Sequence, residues 1–502
     1  MTLISRYSTA VSLTALLATA AHQPALAQGT PAQLGEVSFA TSCTEAAEAA
    51  FDTGLKLLHH MMYRQSAAAF EQASAADPHC AMAQWGIAMS KFHPLWPGGP
   101  TPEETTAGRA AAARLLAMDQ GTPREAAFIK AVLAFYAGED VPYPARLASW
   151  AKSQRAVLEA HPSDHDAQAF ASLAQMTVAP KGPDAVPELI EAGARTDALR
   201  AEAPRHPGAY HYSIHAYDHP ALAERGLEVA RGYLSIAPEV PHALHMPTHI
   251  FTRLGLWEES AALNARSGAA AIEHSVSDVI SNHYPHAVDY GVYAHLQLGQ
   301  TAQAAAVLAA MESTPKLENN FGTAYAAAAT AARMALEQDD WSAAAALPTE
   351  LHPAVSWERY PQAVAIRWFA IGLGAARAGD EATAKEALAE LGNLGTIMED
   401  RSMGYWLALH EAQTKSIEAW LAHAEGRDEE AIALLREAAD TEDKVGKAPV
   451  TPDHVLPARE LLGDLLLATG DASGAAQAYE AALQSSPNRS RSLRGLAQAR
   501  GD

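Results

Sequence analysis

The sequence predicts an all-α protein in which antiparallel helix hairpins stack into a superhelix. Three observations carry that expectation. Alanine is abundant, aromatic residues make up only 7% of the 502 residues, and runs of β-branched residues are scarce. That mixture favours helix over sheet. Apolar residues reach 49%, enough for a sizeable core. A pattern of small residues, an aromatic and a closing proline also recurs along the chain, as repeat architectures require.

Residues 1–27 read as a secretory signal. Arg6 supplies the positive start, the apolar run Val11 to Ala21 is too short to span a bilayer, and Ala25-Leu26-Ala27 offers a small-x-small cleavage site. The mature chain is expected to begin near Gln28, in the periplasm or outside the cell. The competing reading is an uncleaved membrane anchor. No later stretch of about 20 apolar residues follows, so no membrane span is expected in the mature chain. The two cysteines, Cys43 and Cys80, can pair in an oxidising compartment. The bridge would contribute roughly 4 kcal/mol in the chain-entropy model. The alternative is two buried free thiols. With 58 acidic against 36 basic residues the net charge is -22. Such a surface repels nucleic acid and anionic membrane.

After the signal, residues 28–100 carry "TGLKLLHHMMYRQSAAAFEQASAADP", with Gly54, Phe70, Ala73 and Pro78 at set offsets. Residues 101–205 are helical in pattern but degenerate as repeats; "HPLWPGGPTPEE" leads into a helix whose first turn holds Glu103 and Glu104. Residues 206–310 form a histidine-rich block. Residues 311–502 end in "LLGDLLLATGDASGAAQAYEAALQSSP", where Gly463, Tyr479, Ala482 and Pro487 repeat the N-terminal offsets. Small residues let paired helices approach to about 8–10 Å, and the proline stops the second helix.

These segments resemble the tetratricopeptide repeat, a 34-residue helix hairpin. The resemblance covers most of the mature chain and implies an α-α solenoid with a concave groove. It implies no particular activity, because such solenoids host many functions. The segments "HYSIHAYDHP" and "HALHMPTHIF" also resemble those of exported bacterial tetratricopeptide proteins, which implies the same fold and location and no reaction.

Eleven of the 22 histidines lie between His206 and His295. With a repeat starting at Pro207, His211 and His215 take positions 5 and 9. With the next starting at Pro241, His245 and His249 take the same positions one repeat later. A third, from Pro285 after a ten-residue insertion, puts Asp289 and Tyr293 there. Position 2 holds His242 and His286; position 13 holds His219 and, in the first repeat, His59. Positions 2, 5 and 9 share one helix face, and by the resemblance that face lines the groove. The pairs are therefore expected to converge on one ion or two close ions, with His242, His219 and His286 as further ligands.

Imidazole suits copper and zinc among other metals, and a divalent copper or zinc ion is the expected cofactor. Asp289 is expected to complete a set of three histidines and a carboxylate. Asp218, next to His219 and ahead of Pro220, is expected to accept an imidazole N–H from outside the ligand set, and either aspartate is placed to act as a base. Pro247 either kinks its helix or starts it, the latter leaving His242 and His245 in a loop. His59, His60 and His93 either join the cluster or cap and pack. Glu460 and Asp464, at positions 5 and 9, either extend the groove or are solvated.

No phosphate-binding glycine loop, nucleophile elbow or His-Glu-x-x-His helix occurs. Two classes of function remain. One is a metal-dependent enzyme, oxidative or hydrolytic, acting on a small or extended substrate. The other is a scaffold that holds a peptide or protein partner. Metal storage or delivery is a third option. Lys, Arg and Asn, which clamp peptide carboxylates in known tetratricopeptide grooves, are missing from positions 5 and 9 of these repeats.

Overall fold

Alanine-rich segments become helices from Glu45–His59 to Ser490–Arg500, and several open on a proline or a capping side chain. The computed structural model describes residues 31–96 and 99–501; the expected signal segment lies outside them. Thr101 with Glu104, and Thr122 with Glu125, form reciprocal capping boxes, each followed by proline in the first turn. Among the described residues no strand forms; a single bridge pairs Ile280 with Leu317. Successive helices pack antiparallel as hairpins, and hairpins stack. Among the described residues the chain is an all-α solenoid of stacked helix hairpins.

The repeat pattern has a packing cause. A Cβ on Gly54 would stand 2.9 Å from the Phe70 ring and one on Gly86 only 2.3 Å from it, so that ring is sandwiched between two helix backbones. Gly463 and Gly495 hold Tyr479 in the same way, at 2.7 and 2.2 Å. Gly86→Ala is therefore expected to lose about 1–3 kcal/mol to overpacking, more than the ~1 kcal/mol gained from helix propensity. Gly392, exposed in the Glu381–Asp400 helix, would meet nothing within 4 Å. Gly392→Ala is expected to raise stability by about 0.5–1 kcal/mol. Urea midpoints that move the same way for both variants would contradict this packing.

The superhelix curls until its last hairpins meet its middle. Gly255 ends its helix with φ +65, and a Cβ there would lie 2.3 Å from the Pro487 carbonyl oxygen. Trp257 Nε1 donates to the Asn488 carbonyl at 2.9 Å. Lys447, Thr451 and Asp453 reach back onto the central helices, so residues 446–457 roof the inner face where the histidines lie. Cys43 and Cys80 are joined as a disulfide that ties the N-terminal segment to the first hairpins.

Candidate metal centre

Three consecutive inner-face elements carry the histidines: the Pro207–Tyr217 helix, the pair Pro241–His245 and Pro247–Leu254, and the His283–Gln297 helix. Proline at the first turn needs no N–H partner and starts the first two in the expected phase. Met246 keeps helical angles, φ -53 and ψ -40, between the two short helices. Pro247 thus interrupts the bonding without opening a loop. His242 and His245 stay helical and beside His249.

The imidazoles gather into two sets of three, not one focus. His211 Nε2 lies 3.1 Å from both His215 Nε2 and His242 Nε2. His245 Nε2 lies 3.0 Å from His249 Nε2, and His286 completes that set, its ring centroid 4.1 Å from that of His245. Each set takes positions 5 and 9 of one repeat and position 2 of the next. The sets adjoin: centroids of His215 and His249 are 5.8 Å apart, those of His242 and His245 6.0 Å. His283, which the spacing did not single out, adds a seventh ring 4.9 Å from His242.

Outer contacts fix the tautomers. The Asn264 amide donates through Nδ2 to the Ser260 carbonyl at 2.8 Å, so its oxygen faces His245 Nδ1 at 2.7 Å and His245 must donate from Nδ1. His249 Nδ1 donates to Asp218 Oδ2 at 2.9 Å, and His211 Nδ1 to the His59 backbone carbonyl at 2.5 Å. Burial, reinforced by neighbouring imidazoles, pushes His211, His242, His245 and His286 well below the usual histidine range. His215 is brought down to about 3 by the same causes, and burial lowers His249 too. All six are neutral, the ligating form. With their protons on Nδ1, His245 and His249 turn two Nε2 lone pairs toward each other at 3.0 Å. Two acceptors at that distance repel unless a cation lies between them.

Several expected residues stand elsewhere. His219 sits in the turn after Tyr217, half-buried, its Nδ1 accepting from the Ala221 N–H at 3.1 Å; Pro220 draws it away from both sets. The imidazole N–H that Asp218 accepts is that of His249, because the chain leaves the helix there and aims the carboxylate at the next repeat. It also accepts from Arg253 Nε at 2.9 Å and Lys447 Nζ at 2.6 Å. Burial alone would raise its pKa, yet the Lys447 and Arg253 charges hold it well below the carboxylate range. With three donors on it, the carboxylate is placed to orient His249. Asp289 joins neither set: it pairs with the buried Arg333, and burial pushes it up to about 6 in spite of that cation. His286, one turn earlier, takes the place foreseen for it.

His60 ties Tyr233 of the Ala223–Tyr233 helix to the Leu34 carbonyl, joining the N-terminal segment to the central helices, and His93 pairs with Glu104. Glu460 and Asp464 extend no groove; they are buried against Arg489, Arg377 and Arg491. Tyr210 and Tyr217 pack between helices, with hydroxyls on the Pro204 carbonyl and on Asp197.

Of the six imidazoles only His215 is not fully buried. It lines a cavity of about 540 Å³ whose wall also includes Met176, Leu189, Lys181, Lys447 and Asp218. A small molecule entering that cavity would reach the imidazoles from the His215 side.

No family model and no curated protein matches the sequence. Solved structures do align. The fold is a solenoid. The APC/C hetero-tetramer Cut9–Hcn1 aligns over 90% of this chain and 76% of that one, at 11% identity and a TM-score of 0.39. The tetratricopeptide domain of P58(IPK) aligns over 91% and 97%, at 14% identity and 0.21. The human IFIT1 dimer with m7Gppp-AAAA aligns over 78% and 72%, at 13% identity and 0.31. At these scores the likeness carries nothing about chemistry, and the hairpin architecture rests on the helices themselves. Among the described residues no helix is long and apolar enough to cross a membrane.

Proposed function

We propose that this chain is an exported metalloprotein whose two adjoining three-imidazole sets hold a pair of copper ions. Its activity is the oxidation of small molecules that reach the pair through the cavity at His215. The observation that carries this reading is the face-to-face Nε2 pair of His245 and His249, each with its proton committed to Nδ1. Copper is favoured because the donors are neutral imidazoles and divalent copper outranks zinc at a nitrogen site. Hydrolytic two-metal sites clamp oxygen atoms between their ions, but here the nearby carboxylates Asp218 and Asp289 are held by cations. Each turnover withdraws two electrons and two protons from the substrate, and dioxygen takes them up as hydrogen peroxide. The disulfide supports an oxidising compartment.

A second reading, a scaffold for a peptide or protein partner, is favoured by the solenoid architecture itself. Beside the imidazoles that groove is already filled by residues 446–457, which leaves a partner the remaining surface.

The test is oxygen uptake by copper-loaded protein with a phenol, a catechol and an aromatic amine as probes. Uptake with one of them, absent from His245→Ala/His249→Ala, is the expected result. Tight copper binding without turnover would move the reading to storage or delivery. A folded protein that binds no copper would return it to the scaffold.

A further inference from the structure

A third group of metal-ligating side chains lies outside the six-imidazole centre. Asp166, on the His165–Val178 helix, is fully buried, with His59 and His206 against it. Asp166 Oδ1 is 2.8 Å from His59 Nε2 and 3.4 Å from His206 Nε2. Its other oxygen, Oδ2, has no hydrogen-bond partner, and neither ring nitrogen of His206 has one. His206 is 1% exposed. Among the described residues no lysine or arginine pairs with Asp166; its two charge partners are these imidazoles.

An ionised carboxylate in a dry interior is strongly disfavoured unless a cation compensates it. The packing also makes room for the two rings. Gly208 lies against them, and a Cβ there would stand 2.8 Å from His59 Nδ1 and 3.1 Å from His206 Cε1. Tyr212 Oη, 3.1 Å from His59 Nδ1, can accept its N–H and leave Nε2 free to ligate.

We propose that His59, Asp166 and His206 form a separate, structural zinc site. Two imidazoles and one carboxylate, their ligand atoms all within 4.8 Å of one another, are a donor set that zinc accepts. The site lies directly behind the copper pair, because the backbone carbonyl of His59 is the acceptor that orients His211. An ion held by the His59 ring fixes that carbonyl, and through it the tautomer of a ligand in the neighbouring centre.

The test is an anomalous-scattering map at the zinc edge from crystals of the full chain loaded with zinc. A peak bounded by Asp166 Oδ2, His59 Nε2 and the His206 ring is expected. Its absence overturns the proposal, whether or not zinc occupies the six-imidazole centre. In solution, Asp166→Asn, or His206→Gln should that variant fail to fold, is expected to bind one zinc equivalent fewer than the wild type. His245→Ala keeps that equivalent, which separates this site from the copper pair. Equal zinc stoichiometry in the wild type and a folded Asp166→Asn or His206→Gln variant would also refute it.

Discussion

Replacing His245 and His249 together with alanine is expected to empty the second three-imidazole set. Two of its three donors vanish, and the remaining His286 cannot hold an ion alone. Affinity there falls by more than the roughly 10–100-fold that loss of an outer-shell partner costs. Stability supplies an independent readout. An ion present at a thousand times its dissociation constant stabilises the native state by about 4 kcal/mol. A chelator should therefore lower the melting temperature of the wild-type protein, and lower that of the double variant markedly less. In the metal-free wild type the two Nε2 lone pairs still face each other at 3.0 Å, so relief of that repulsion offsets part of the packing lost by the variant. Equal chelator sensitivity in the two proteins, measured by calorimetry, would show that these rings hold no metal.

The second large effect is at Asp218. Its carboxylate neutralises Lys447 and Arg253 while orienting His249. Asp218→Ala leaves two buried cations without a counter-charge and is expected to cost about 3–5 kcal/mol. Asp218→Asn keeps the shape and separates charge from volume. Burial brings Lys447 down to about 8 even with Asp218 beside it. In the unfolded chain a lysine titrates near 10.4, about the ordinary value. Between those limits the unfolded state binds more protons than the native state, so the Lys447 contribution makes stability rise with pH from about 8 to about 10. Without the aspartate charge the folded pKa falls further, so in Asp218→Asn the rise begins at lower pH. Unfolding curves at a series of pH values check this. A variant whose pH profile overlays that of the wild type would mean that Asp218 does not govern the lysine.

The fold was legible because its determinants are local. Gly54 and Phe70, then Gly463 and Tyr479, stand at one offset because one ring must fit against a helix backbone wherever a hairpin closes. The prolines at 207 and 241 gave the phase of the inner-face histidines. What the phase could not give was the partition into two sets. That depends on the rotation between successive hairpins, which is set by distant contacts such as Gly255 on Pro487 and Gly182 on Lys444. The position-2 pair, His242 and His286, carried the signal, since each completes the set of the preceding repeat. Asp289 misled because spacing does not reveal Arg333, a cation on the Phe321–Leu336 helix that claims it. Asn264 and Lys447 share no period with the histidines they support. Asp166 and His206 reach His59 across more than a hundred residues, so no spacing rule could have found them.

The most direct measurement is elemental mass spectrometry of the untagged, full-length protein as purified from the cells that produce it. Two copper equivalents per chain at the six imidazoles, retained through dialysis and lost in His211→Ala/His245→Ala, is the outcome expected of a paired metal centre. Folded protein that carries no transition metal and takes up none when copper is supplied would contradict it.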